Sequence, residues 1–104
     1  MNDIELLYFD GCPSWQTALE NLHQVIEAEK LPYQVRLIEI ANPQQAQEEH
    51  FLGSPSFRIN GLDLWPETRT RYNMSCRVYQ TDQGMLGSPT VEMLRERIRK
   101  MCAE

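Results

Sequence analysis

A chain of 104 residues, 41% hydrophobic and 24% charged, suits one folded domain over residues 1–104 and is too rich in apolar side chains for disorder. Fifteen acidic against ten basic residues give a formal charge of −5, without the basic surplus that displaces counterions from nucleic acid. The longest apolar run is Leu6 to Phe9, far short of the ~20 residues a membrane-spanning helix needs, so neither nucleic acid nor membrane is an expected partner.

The first residues, Met1-Asn2-Asp3-Ile4-Glu5, are acidic and lead straight into a strand-like run, unlike a secretory signal; the expected location is cytoplasmic. Ile4 and Leu6 to Phe9 read as a strand buried on both faces, the kind found inside an α/β sheet. Asp10-Gly11 ends it, and Cys12-Pro13 follows. Pro13 suits a first helical position, because its φ is already helical and its missing N–H is not needed there. Trp15, Ala18, Leu19, Leu22, Val25 and Ile26 recur at helical spacing and predict a helix from about 13 to 30. After Pro32, Tyr33, Val35 and Leu37 alternate with polar residues and run on to Ile40, which predicts a second strand. Asn42-Pro43 signals a short polar helix through Phe51, with Ala46 and Phe51 facing inward.

Leu52-Gly53-Ser54-Pro55 interrupts the chain before a third strand containing Phe57 and Ile59, which leaves through the Asn60-Gly61 turn. Residues 62–75 read as an irregular connection, longer than a tight hairpin. Arg77 to Gln80 is the expected fourth strand. Pro89 is expected at the first position of a last helix, whose inner face carries Val91, Leu94, Ile98 and Met101. Its basic residues are mixed with Glu92 and Glu96 and read as a solvated face. The expected order is β-α-β-α-β-β-α: an α/β fold with a mixed four-stranded sheet and helices on both faces.

Cys12 carries the chemical interest. The first N–H groups of a helix lack partners, and the aligned peptide dipoles put partial positive charge there. A thiolate at that point is stabilised, which lowers the thiol pKa below its free value of ~8.5. Asp10, two residues earlier, acts the other way, so the expected depression is modest. The alternative is a buried, inert cysteine acting as a small hydrophobe.

The stretch Tyr8-Phe9-Asp10-Gly11-Cys12-Pro13-Ser14-Trp15, the downstream Gly53-Ser54-Pro55-Ser56 and the element order resemble the thioredoxin superfamily. More narrowly, the Phe-Asp-Gly-Cys-Pro start together with Met74-Ser75-Cys76-Arg77-Val78-Tyr79 is similar to the DF-family (seleno)proteins. The resemblance implies a thioredoxin-like fold, a nucleophilic Cys12, and a cis Pro55 beside the thiol; the alternative for Pro55 is a trans proline at a strand edge. It further implies that the Ser54 backbone offers hydrogen bonds to an extended substrate, so Ser54 and Pro55 are the expected substrate-binding residues.

One departure limits what the resemblance implies. Trp15 stands where the second cysteine of a Cys-x-x-Cys pair would be. What remains is a single-cysteine scheme, in which Cys12 attacks a disulfide or oxidant and an external thiol such as glutathione releases it. Cys102 lies ~20 Å along the last helix from its start, at 1.5 Å per residue, and is expected to be remote. Cys76 opens the expected fourth strand, at the edge opposite Cys12 in the plain fold. Only the 62–75 connection would bring it back as a resolving thiol, and Cα atoms more than ~7 Å apart would exclude a disulfide.

No Cys-x-x-Cys or His-x-x-x-His spacing supports a zinc site, so no metal and no cofactor are expected, and His23 and His50 read as exposed. Two readings compete with the thiol redox protein. One is a binding module that uses the same groove without turnover. The other is a soft-metal binder holding mercury or copper between Cys12 and Cys76, since thiolates favour such ions.

Overall fold

The computed structural model describes residues 3–102; the side chain of Cys102 lies outside the described residues, and with it the expectation that this thiol is remote from Cys12. The elements in chain order are β1 (Asp3–Tyr8), α1 (Ser14–Glu29), β2 (Gln34–Glu39), α2 (Pro43–Glu48), β3 (Ser56–Ile59), β4 (Leu62–Asp63), β5 (Tyr79–Thr81), β6 (Gly84–Leu86) and α3 (Val91–Cys102). The first four strands form one mixed sheet in the order β2-β1-β3-β4. β1 runs parallel to β2, with Ile4 opposite Val35, and antiparallel to β3, with Leu6 opposite Phe57.

Side-chain alternation along β1 distributes the core between the two faces of the sheet. Ile4 and Leu6 pack with Ala18, Leu22 and Val25 of α1 and with Leu94 and Ile98 of α3. Leu7 points the other way, to Ile40, Ala46 and Phe51 around α2. Burial of each such large side chain contributes roughly 1.5–3 kcal/mol. The helical stripes and the two-faced apolar run of β1 legible in the sequence are therefore the ones that build the two layers, whereas Leu37 of the alternating β2 run is 46% exposed. Asn42 caps α2 as its position before Pro43 suggests, its side chain accepting a hydrogen bond from the Gln45 amide at 2.8 Å.

The elements differ from the sequence reading at several points: α2 ends at Glu48 rather than Phe51, and Pro13 caps α1 rather than opening it. The sheet's fourth strand is Leu62–Asp63, not Arg77 to Gln80. Asn60 (φ 55°) and Gly61 (φ 79°) both adopt left-handed backbone, which matches the twist of a tight hairpin, so the chain turns straight back along β3 instead of leaving the sheet. Tyr79–Thr81 belongs instead to a separate two-stranded ribbon with Gly84–Leu86. At α3, Thr90 rather than Pro89 meets the first turn: its Oγ1 accepts from the Met93 amide at 3.2 Å and its carbonyl from Leu94 at 3.0 Å. No helix among the described residues is long and apolar enough to cross a membrane.

Candidate thiol site

The end of β1 and the start of α1 place Cys12. Its amide donates to the Phe9 carbonyl at 3.2 Å, closing the Asp10-Gly11 turn, and Pro13 (φ −68°) then leads into α1. The Cys12 residue is 4% exposed. Its Sγ lies 3.7 Å from the Ser54 carbonyl oxygen, and the Phe9 amide donates to Ser54 Oγ at 3.3 Å. The turn that carries Cys12 is thus tied to the Gly53-Ser54-Pro55 segment from both sides. The Ser54–Pro55 peptide bond is cis.

The same segment receives residues 75–77. Ser54 donates its amide to the Ser75 carbonyl at 2.8 Å, and the Arg77 amide donates to the Ser54 carbonyl at 2.9 Å, a parallel bridge that sets Cys76 beside Ser54. Gly53 makes this approach possible. Its φ is 117°, and a Cβ there would lie 2.9 Å from Arg77 Cβ and 3.2 Å from the Arg77 amide nitrogen. With both cysteines referred to one residue, their Cα atoms are 6.0 Å apart and their sulfurs are joined in a disulfide.

The connection after β4 returns because it is anchored over α2. The Tyr72 amide donates to Gln47 Oε1 at 3.2 Å, the Tyr72 ring tilts against His50 at 4.8 Å, and Met74 packs on the Leu7–Ile40–Phe51 cluster. On the far side of Cys76, Arg77 fixes the exit. Its buried guanidinium donates to Ser56 Oγ at 3.1 Å, to both Asp63 oxygens at 3.1 and 3.2 Å, and to the Trp65 carbonyl. Burial pushes the Asp63 carboxyl above its ordinary value of 3.8, while Arg77, the Trp65 amide and Arg58 pull it back.

Tyr79 closes the lower side. Its hydroxyl donates to the Pro55 carbonyl at 2.7 Å, and burial raises its pKa well beyond the usual tyrosine range. Tyr79→Phe removes that donor and leaves a buried carbonyl unpaired. The expected loss is about 1–3 kcal/mol in urea unfolding; a loss below a few tenths would show that the hydroxyl does not hold the Pro55 segment.

The sequence-predicted residues Cys12, Ser54, Pro55 and Cys76 therefore meet at one place, but the roles shift. Cys12 was expected to be reachable and is buried, because the 75–77 segment lies over the edge it would have used. Cys76 is exposed. The Ser54 backbone, expected to be open to an extended substrate, is occupied by this chain's own residues. Gly53, Asp63, Arg77 and Tyr79 were not read as site residues; the one local signal was a basic residue directly after Cys76. Trp15 stacks on Tyr8 at 4.1 Å, and Trp65 packs edge-on to Tyr79 at 5.0 Å. His23 and His50 are exposed. Among the described residues no group of three or more His, Cys, Asp or Glu side chains is arranged to hold a metal ion. Compared with known protein families, curated proteins and solved structures, the chain matches none.

Proposed function

We propose that this chain is a thioredoxin-like thiol redox protein that cycles between a Cys12–Cys76 disulfide and the corresponding dithiol. The observation that carries the reading is the pair itself: two cysteines 64 residues apart, whose chain neighbours Phe9, Ser75 and Arg77 hydrogen-bond to Ser54, with sulfurs in bonding contact. The element order, the cysteine just before α1 and the cis Ser54–Pro55 bond in the segment its sulfur approaches support the thioredoxin-like part of the reading. Cys76 supplies from a distance the second sulfur that Trp15 withholds from the local motif. A one-cysteine scheme needs an external thiol to release every adduct on Cys12; a bonded partner makes that release intramolecular.

The partner class is a thiol or disulfide, with glutathione as the representative small molecule. Two thiols deliver two electrons to the protein disulfide, leave as one disulfide, and the protein becomes a dithiol. Equilibration of the full chain over a series of glutathione to glutathione disulfide ratios tests this. The expected result is a single transition in which two maleimide-reactive thiols per chain appear together, with Cys102 reactive throughout once the chain is unfolded for labelling. Failure of the two thiols to change together across the series would overturn the redox reading.

A further inference from the structure

We infer that Cys76, not Cys12, is the sulfur that an incoming thiolate attacks, and that Cys12 is the buried leaving and resolving thiol. The inference rests on the dithiol reading above and reverses the roles suggested by the sequence. Cys12 is 4% exposed, whereas Cys76 lies on the surface. Both backbone hydrogen-bonding groups of Ser54 are already used by Ser75 and Arg77. The Ser54 edge beside Cys12 is therefore closed to strand addition by an extended peptide. Access to the attacked sulfur and acidity of the departing one govern exchange. Access selects Cys76. Cys12 precedes α1 by two residues, with its Sγ 3.7 Å from the Ser54 carbonyl oxygen, and burial works against a thiolate there, so access carries the assignment.

The partner class is a small thiol of glutathione's kind, which reaches the exposed Cys76 without needing the Ser54 edge. Its thiolate attacks Cys76 Sγ, forms a mixed disulfide there and expels the Cys12 thiolate, which takes up a proton. A second thiolate attacks the external sulfur of the adduct, releasing the small disulfide and the Cys76 thiolate. In the oxidising direction the Cys12 thiolate attacks Cys76 Sγ of the adduct and expels the small thiol, restoring the internal bond.

Mapping the mixed disulfide tests this. The oxidised full chain is exposed briefly to glutathione, quenched in acid, alkylated and digested. Glutathione is expected on Cys76 and the alkyl group on Cys12, with a preference of at least ~10-fold. A kinetic arm covers an adduct too short-lived to trap: reduced Cys12→Ser should react with an aromatic disulfide at least ~10-fold faster than reduced Cys76→Ser, compared through the adducts at residues 76 and 12, and the difference should vanish in denaturant. Glutathione chiefly on Cys12, or equal native rates, overturns the assignment while leaving the redox pair intact. Absence of a Cys12–Cys76 linked peptide from the starting material removes both.

Discussion

Reduction of the Cys12–Cys76 bond is expected to lower stability by about 4 kcal/mol, the chain-entropy value for a closed loop of this length. The bond spans 64 residues, so it restricts most of the unfolded chain between β1 and β5. A small domain's whole stability is on the order of 5–15 kcal/mol, so this one bond accounts for a large share of it. Urea unfolding with and without reductant measures it. Cys76→Ser is the cleaner genetic equivalent, since that position is exposed, whereas Cys12→Ser also buries a hydroxyl. The variant should match the reduced protein, and adding reductant to it should change nothing further. Coincident unfolding curves for oxidised and reduced protein would show that the bond is not formed in solution.

The sequence made the layers of this fold readable, and the reason is periodicity. Ile4, Leu6 and Leu7 had to serve two cores, and the stripe from Ala18 to Val25 had to face one of them. Asn42-Pro43 announced α2 through cap chemistry. What escaped was tertiary. Asn60-Gly61 was read as an exit because β4 is only two residues long, too short to show alternation. With the fourth strand assigned to residues 77–80, Cys76 fell at the wrong edge. The return of the chain depends on Tyr72 meeting His50 and Met74 meeting the Leu7–Ile40–Ala46–Phe51 cluster, contacts between residues with no local pattern in common. Burial of Cys12 followed from the same miss. Its position before a helix-opening proline was legible, but the segment that covers it comes from 64 residues further along.

Arg77→Met is expected to destabilise the protein by about 3–5 kcal/mol at neutral pH, because it removes one partner of a buried ion pair and leaves the Asp63 carboxylate with only the Trp65 amide and the more distant Arg58. The side chains of Arg77 and Asp63 are 4% and 11% exposed, so solvent offers Asp63 little relief. Ser56 Oγ and the Trp65 carbonyl lose a donor as well. The loss carries a pH signature. Burial already raises the folded-state Asp63 carboxyl above 3.8, and removing Arg77, which lowers it, raises it further. A group with a raised folded pKa stabilises most below its unfolded value, and that stabilisation fades as pH climbs through the folded one. The penalty of Arg77→Met should therefore be smallest near pH 3.8, where Asp63 is protonated, and grow toward neutrality. Adding Asp63→Asn should recover part of the neutral-pH loss and flatten the pH dependence. The same variant separates stability from redox function. The Arg77 amide holds the Ser54 carbonyl, and its side chain holds that amide in place. Loosening it lowers the effective concentration of Cys76 at Cys12, so disulfide formation against glutathione should weaken, by tenfold for every 1.4 kcal/mol of lost positioning. Should Arg77→Met unfold more easily yet keep the wild-type glutathione midpoint, the guanidinium supports the core alone and the Ser54 bridge suffices to hold the two sulfurs together.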